Sequence, residues 1–196
     1  MNVLKFSLIS LLIISLMSCV VESTKPSMPG KVSTIENIEI DSDIEDDFNM
    51  ALSYLKSEKY DEAIQLLKEL IVKEQRVPAP FVNLGMAYDK KGEHDNAEKY
   101  FLLALGVDLT HPVANNQLGM LYRKKGKFNK SKKAYTNALT AHPDYLPLVK
   151  NYGILCELYL RDLPCALQQY EHYLSLQPES KTMKIWLADL SNRIKR

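Results

Sequence analysis

The sequence predicts an all-α protein, a solenoid of stacked helical hairpins, on three observations. The 34 residues from Pro78 to His111 align without a gap with the next 34, from Pro112 to Tyr145. Self-similarity at a period of this size is typical of repeat architectures. Each half carries two apolar stripes with helical spacing, separated by a glycine that suits the end of a helix. One helix pair cannot bury both of its faces, so successive pairs are predicted to stack.

The residues that the two halves share are large apolar and small residues at fixed places. They are Phe81, Leu84, Gly85, Tyr88, Gly92, Ala97, Phe101 and Ala104 in the first half, and Leu118, Gly119, Tyr122, Gly126, Tyr135, Ala138 and Pro143 in the second. On these residues the chain resembles the tetratricopeptide repeat (TPR) family, although Leu109, Asn115 and Ser131 depart from its pattern. The resemblance implies a right-handed α-solenoid of about four hairpins that binds proteins in a concave groove.

The first eighteen residues are predicted to be an export signal. Lys5 supplies a positive start, and the apolar run Phe6 to Leu16 is too short to span a membrane well. The following Leu16-Met17-Ser18-Cys19 resembles the bacterial lipobox. That resemblance implies a mature protein that begins at a lipidated Cys19, faces the periplasm and, because Val20 follows, is anchored in the outer membrane. The alternatives are a secretory signal with a chance cysteine and an uncleaved anchor.

Residues 19–41 are predicted to be a flexible tether. Ser, Thr, Pro and Gly are frequent and no helical stripe is present. About twenty flexible residues have an r.m.s. reach of roughly 25 Å, which would hold the repeats away from a bilayer. Within the tether, the alternating run Ile35 to Ile40 could form a short strand on a partner's sheet edge; disorder is the favoured interpretation.

Residues 42–180 are predicted to form four repeats, at 44–77, 78–111, 112–145 and 146–180. Ser42 and Glu45 form a capping-box pattern at the start of the first helix. The fourth repeat aligns only if one residue is inserted, which we place in the turn from Arg161 to Pro164. Residues 181–196 carry a further apolar stripe and are predicted to be a capping helix, with Trp186 in its core face.

Two cysteines remain besides Cys19. Cys156 is predicted near the end of one helix and Cys165 near the start of the next, so the antiparallel pair brings them near each other. In an oxidising compartment they could form a disulfide. They could equally be two small buried apolar residues, and the sequence leaves both interpretations open.

Several classes of chemistry have no support in the sequence. The formal net charge is +1, whereas a nucleic-acid binder usually carries a basic stripe. The four histidines do not have metal-ligand spacing, and no phosphate loop, nucleophile elbow or HExxH pattern is present. We therefore predict no catalytic residues, metal, cofactor, nucleic acid or small-molecule substrate, and expect the protein to act by binding other proteins.

The TPR resemblance also implies which residues line the groove. One position of the first helix is apolar in every repeat, and the residues there are Leu52, Met86, Met120 and Ile154. The other residues so assigned are Phe48, Leu55, Lys56, Val82, Asp89, Lys90, Asn116, Arg123, Lys124, Lys150, Glu157 and Leu158. An apolar floor beside basic residues suits an amphipathic helix or an extended segment with acidic flanks. Alternatively, some of these side chains pack between neighbouring helices.

The resemblance favours some binding functions over others. Receptors that grip a C-terminal carboxylate use Lys and Asn where this chain has Phe48 and Leu52, so a chaperone-tail receptor is disfavoured. The plan of lipobox, tether and repeats, with the run Asn151 to Cys156, resembles the type IV pilus biogenesis lipoproteins of the PilF/PilW kind, which help secretin subunits assemble. The alternatives are a BamD-like or NlpI-like envelope scaffold and a periplasmic chaperone or holdase.

Overall fold

The computed structural model describes residues 40–195. Over that range every regular element is a helix. The proposed export signal, the lipidation site Cys19 and the tether up to residue 39 lie outside the described residues. Of the described helices, none is long and apolar enough to cross a membrane.

The described chain forms nine α-helices. They are α1 (Ser42–Lys56), α2 (Tyr60–Lys73), α3 (Ala79–Lys90), α4 (His94–Val107), α5 (Pro112–Lys124), α6 (Phe128–Leu139), α7 (Leu146–Leu155), α8 (Leu163–Leu176) and α9 (Lys181–Ile194). The pairs α1–α2, α3–α4, α5–α6 and α7–α8 pack as hairpins, here called repeats one to four, and α9 packs on α8. The predicted all-α solenoid of helical hairpins is confirmed.

Each hairpin is closed by a small residue on its first helix facing a large one on its second. A Cβ added to Gly119 would lie 2.4 Å from Cε1 of Tyr135, and one added to Gly85 would lie 2.6 Å from Cε1 of Phe101. Real Cβ atoms do not approach so closely, so only glycine admits these aromatic rings. Repeat one has Ala51 and Leu67 at the same places, both fully buried.

The turn inside each hairpin contains one residue in the left-handed conformation. It is Gly92 (φ 81°) in repeat two and Gly126 (φ 69°) in repeat three. Glu58 (φ 58°) and Arg161 (φ 54°) take this place in repeats one and four. In the first three repeats, the next amide reaches back five residues to a carbonyl, as from Glu93 N to Tyr88 O at 2.9 Å, which is the Schellman ending.

The extra residue of repeat four lies inside a helix, so our placement of it in the turn is wrong. Residues Cys156–Leu160 form a π-helical continuation of α7. The Asp162 amide donates to the Cys156 carbonyl, a step of six residues where the other repeats have five. A π-bulge absorbs one residue without disturbing the next turn. The turn at Arg161 therefore keeps the geometry of the glycine turns, and Asp162 caps α8 through Cys165 N at 3.1 Å.

The predicted capping box at Ser42 is also wrong. Ser42 is already the first residue of α1, and the cap is Asp41, whose carboxylate accepts from the Asp43 amide at 3.2 Å. Both side chains suit an N-cap. A carboxylate at this place also interacts favourably with the helix dipole, and we take that to be why the helix starts one residue earlier.

The first helices form one continuous layer. α1 contacts α3, α3 contacts α5 and α5 contacts α7, whereas the second helices pack mainly on their neighbours in the chain. Because the first helices contact one another from repeat to repeat, the stack curves and the first helices lie on its inner, concave side. The inner face of α1, α3, α5 and α7 is the candidate groove.

Candidate functional site

An apolar row runs along the inner face, with one residue from each repeat. Leu52 is exposed, and Met86, Met120 and Ile154 are half-buried, so each offers part of its side chain to solvent. The row exists because the repeat places the same position of each first helix on the same face. Methionine suits an adaptable contact surface, because its unbranched thioether fills irregular gaps.

Two of the predicted groove residues do not belong to this surface. Val82 is 3% exposed and packs with Phe81, Ala104 and Ala114. Asn116 is also buried, and its Oδ1 accepts a hydrogen bond of 2.8 Å from Nδ2 of Asn151. Both side chains hold neighbouring first helices together, as our alternative interpretation stated. They are unavailable to a partner.

Basic side chains flank the apolar row. Lys90, Lys124 and Lys150 are exposed, and Lys124 Nζ lies 3.2 Å from Asp89 Oδ1. Arg123 is half-buried and lies 5.6 Å from the ring centroid of Tyr159, within cation–π range. The flank is therefore positive, but Arg123 also supports the contact between repeats three and four.

The row is closed at its N-terminal end by Phe48. This side chain is half-buried and packs against the core of repeats one and two. Part of its ring remains accessible beside Leu52, so the apolar surface extends over all four repeats. Phe48 thus serves both the core and the inner face.

At the other end of the row lies a cavity of about 500 Å³ whose α9 side sequence reasoning missed. It is lined by Ile154, Leu158, Tyr170, Ile185 and Trp186, together with Glu157 and Asp189. Trp186 contacts Tyr170 at a centroid distance of 5.9 Å but is 37% exposed. The prediction that Trp186 belongs to the core face of α9 is therefore correct for the part of the side chain that contacts Tyr170, and wrong for the part that remains exposed.

One signal in the sequence could have revealed this cavity. Ile185 follows Lys150 by 35 residues, as Lys150 follows Asn116 by 34, so α9 stands in register as the first helix of a fifth repeat. It continues the inner face rather than only shielding repeat four. The apolar row itself ends at Ile154, because the same position on α9 is Asp189, but Ile185 and Trp186 of α9 add apolar surface beside it in the cavity.

The carboxylates near this cavity are already engaged. Glu157 accepts a hydrogen bond of 2.7 Å from the Tyr170 hydroxyl and pairs with Arg193. Arg193 also pairs with Asp189 at 2.9 Å. Burial, followed by the hydrogen bond to Glu157, raises the pKa of Tyr170 well above its usual value, so the phenol keeps the proton that it donates to Glu157 even in alkaline solution. The cavity thus has a mainly apolar lining, and the two carboxylates in that lining are paired with Arg193.

The two remaining cysteines are joined. The structure places Cys156 and Cys165 in a disulfide that links the π segment to the first turn of α8. Within residues 40–195, His, Cys, Asp and Glu side chains do not gather in groups of three or more that could hold a metal ion.

Comparisons with known proteins agree with this architecture. Residues 48–109 and 113–145 match family models described as tetratricopeptide repeat. No curated protein matches the sequence significantly. Among solved structures, MamA from Desulfovibrio magneticus RS-1 is 18% identical, with a TM-score of 0.66 over 80% of this chain and 88% of that one.

Two further solved structures are similar. PilF of Pseudomonas aeruginosa is 17% identical, with a TM-score of 0.69 over 78% of this chain and 69% of that one. The first TPR domain of Spaghetti (RPAP3), bound to the HSP90 peptide SRMEEVD, is 20% identical, with a TM-score of 0.57 over 63% of this chain and 97% of that one. At these identities the likeness concerns the fold.

Proposed function

We propose that this chain, which is a tetratricopeptide-repeat protein, acts as a non-enzymatic adaptor that binds segments of other proteins along its inner face. The observation that carries the proposal is the accessible apolar row, one residue per repeat, beside exposed lysines. Apolar burial supplies affinity, and the lysines favour a partner with acidic residues beside its apolar ones. Leu52, Met86, Met120 and Ile154 make the apolar contacts, and Lys90, Lys124 and Lys150 make the charged ones.

We further propose that the adaptor is held at the outer membrane by lipid on Cys19 and faces the periplasm. The support is the lipobox-like run before Cys19 and the disulfide between Cys156 and Cys165, which suits an oxidising compartment. Two or more acyl chains make a stable anchor, whereas one gives marginal binding. Anchoring raises the effective concentration of the groove near membrane-bound partners.

Assembly of a type IV pilus secretin is the first pathway to test. The support is the shared plan of lipobox, tether and repeats, and the run Asn151 to Cys156. Within that run, Asn151 bonds to Asn116, Gly153 admits the Tyr170 ring and Cys156 forms the disulfide. These packing roles explain the run without any pilus function, so the pathway rests chiefly on the shared plan.

A holdase that binds unfolded chains transiently is the second candidate. Met86 and Met120 favour it, because methionine-rich surfaces adapt to many partners. An adaptor and a holdase differ in the lifetime and variety of their complexes. A BamD-like or NlpI-like scaffold would differ from a pilus adaptor only in which stable partner it holds.

A crosslinking experiment in intact cells tests the groove. A photo-crosslinking amino acid replaces Met86 or Met120, and, as the control, Val72, which is 77% exposed on the second helix of repeat one. We expect a discrete partner from both groove positions and not from Val72. Secretin subunits would identify the pilus pathway, other envelope proteins a scaffold, and many weakly held unfolded chains a holdase. The groove proposal fails if both groove positions give only what Val72 gives.

A labelling experiment tests the anchor. Cells fed a radioactive or alkynyl fatty acid should label the wild-type protein, and the Cys19→Ala variant should lose both the label and its place in the membrane fraction. The proposal is wrong if the wild type carries no label. Its failure would leave the groove proposal standing, because the two experiments read different parts of the chain.

A further inference from the structure

A second cavity, of about 470 Å³, opens between α4 and α6, the second helices of repeats two and three. Its floor is formed by Leu118 and Tyr122 of α5. We propose that this cavity is a separate docking site for an acidic segment of another protein, which inserts a large apolar side chain there. The site lies on the second-helix layer and not on the inner face, so it goes beyond the adaptor groove.

Two leucines at this cavity stand where the other repeats have no large apolar residue. Leu102 is 48% exposed and Leu109 is 62% exposed, and both line the cavity. The equivalent residues are Lys68, Thr136 and Glu171 for Leu102, and Gln75, Pro143 and Pro178 for Leu109. Packing of the repeat does not require leucine at these places. Exposed apolar residues around an apolar cavity mark an interaction site.

The loop that carries Leu109 is held rigidly. The Leu109 carbonyl accepts hydrogen bonds from Nδ2 of Asn137 at 2.6 Å and from Nδ2 of Asn115 at 3.0 Å. Asp108 Oδ1 accepts from the Thr110 amide at 3.0 Å. A leucine presented by an ordered loop costs little entropy when it binds, so the site is pre-organised.

The charge around the cavity selects an acidic partner. Lys130 and Lys133 line it, no Asp or Glu does, and neither lysine forms an ion pair among residues 40–195. The stretch 109–143 contains seven Lys and Arg and no Asp or Glu. The nearby Glu98 is already held by Lys125 at 2.8 Å. Carboxylates beside the inserted side chain would meet uncompensated positive charge.

The apolar surface is what favours a protein over a nucleic acid as the occupant. A phosphate backbone would use Lys130 and Lys133 but would leave Leu102 and Leu109 exposed. An apolar side chain would cover both leucines, and burial of one aromatic residue removes roughly 150–250 Å² from water. An amphipathic helix with glutamates between its apolar residues meets both requirements.

The test uses a fluorescein-labelled sixteen-residue peptide with Phe or Leu every three to four residues and Glu elsewhere, added to the purified full chain. Fluorescence anisotropy detects binding, and a titration of the Leu102 methyl signals gives the affinity at the cavity, because this peptide also suits the inner face. We expect saturable binding that Leu109→Ser or Lys133→Glu weakens at least tenfold. The matched variants Val72→Ser and Lys132→Glu make the same kinds of change at exposed residues outside the cavity and should stay within twofold of wild type.

Further controls separate this site from the groove. Met120→Ser should leave the affinity at the cavity unchanged, whereas it should reduce crosslinking from the inner face. The proposal is overturned if a peptide with Lys for every Glu binds equally well, or if nothing binds saturably at millimolar peptide. It is also overturned if Leu109→Ser acts only by dissolving a dimer seen in sedimentation, because the occupant would then be a second copy.

Discussion

At the scale of single residues, each hairpin is held together by a small residue on its first helix that faces a larger residue on its second helix. Tyr135 and Tyr170 fill the space that Gly119 and Gly153 leave, while repeat one uses Ala51 with the smaller Leu67. A glycine with a tyrosine and an alanine with a leucine have similar total volumes, so either pair can fill the space between the two helices. Interiors packed to crystal density tolerate such exchanges better than a change on one side alone.

Gly119→Ala tests this pairing. The added Cβ would lie 2.4 Å from Tyr135 Cε1, and overpacking of this kind costs about 1–3 kcal/mol of unfolding free energy. Urea denaturation measures the loss. Gly106→Ala, where nothing lies within 4 Å, is the control and should be neutral or stabilising. The double variant Gly119→Ala/Tyr135→Leu copies repeat one and should be more stable than the two separate losses predict. Strict additivity would contradict the pairing.

His111 gives the fold a pH dependence. Its Nδ1 accepts the Ala114 amide at 3.2 Å and so caps α5. Burial lowers the pKa of His111, assisted by His142 and opposed by Asp108. The unfolded state therefore binds more protons at mildly acidic pH, so stability is present above the usual histidine pKa of about 6.5 and is lost as pH falls below it.

The measurement is thermal unfolding at pH 7.5 and pH 5. Protonation of Nδ1 removes the cap, which is worth about 1 kcal/mol. His111→Asn keeps a capping side chain that does not titrate, so this variant should lose less stability than wild type between the two pH values. Parallel pH profiles for the two proteins would show that the cap at α5 does not depend on His111 protonation.

At the scale of elements, the end of α7 carries the main irregularity of the stack. The π segment Cys156–Leu160 takes up one extra residue, and the disulfide from Cys156 to Cys165 ties that segment to α8. The segment also positions Glu157 and Leu158 at the cavity that Ile154 and Trp186 line. Irregular turns of this kind often occur at functional sites, and here the irregular turn borders the end of the apolar row.

Removal of the disulfide should loosen repeat four. Closing a loop of this length stabilises a fold by about 2–3 kcal/mol through the unfolded state. Hydrogen exchange should show faster exchange in α7 and α8 for Cys156→Ala/Cys165→Ala, and for the wild type under reductant. The double variant itself should not respond to reductant. Unchanged protection of α7 and α8 in the variant would mean that packing alone holds the segment.

At the scale of the whole molecule, stability is distributed along the stack. Each helix packs mainly on the helices next to it, and each first helix also touches the first helices of adjacent repeats. The core of the described residues is divided into clusters that follow one another along the stack, from Ala51 to Leu190, and is not gathered around one centre. In such an array a defect acts mainly on its neighbours.

Leu190→Ala tests this locality. Leu190 is fully buried in the contact of α9 with repeat four, and loss of such a side chain costs about 2–5 kcal/mol. Hydrogen exchange should increase in α8 and α9 while α1 to α3 keep their protection. Ile194→Ala, on the same helix but 42% exposed, should have little effect. Equal loss of protection along the whole chain would indicate a single cooperative core.

Much of the molecule follows from the sequence alone. The number of hairpins, the small residues that face aromatic rings and the apolar row through Met86 and Met120 were all predictable, because each depends on spacing within one helix or on the fixed period between repeats. The same period could have placed α9 as a further first helix. Local periodicity thus determined the elements and their order.

Only the tertiary structure decided which side chains remain accessible. Val82 and Asn116 share the groove register but are buried, because neighbouring first helices close over them. The extra residue of repeat four went into a π turn, and Leu109 and Lys133 came to line the same cavity. These outcomes depend on the angle and distance at which one hairpin settles on the next, and a pattern read along one chain does not contain those quantities.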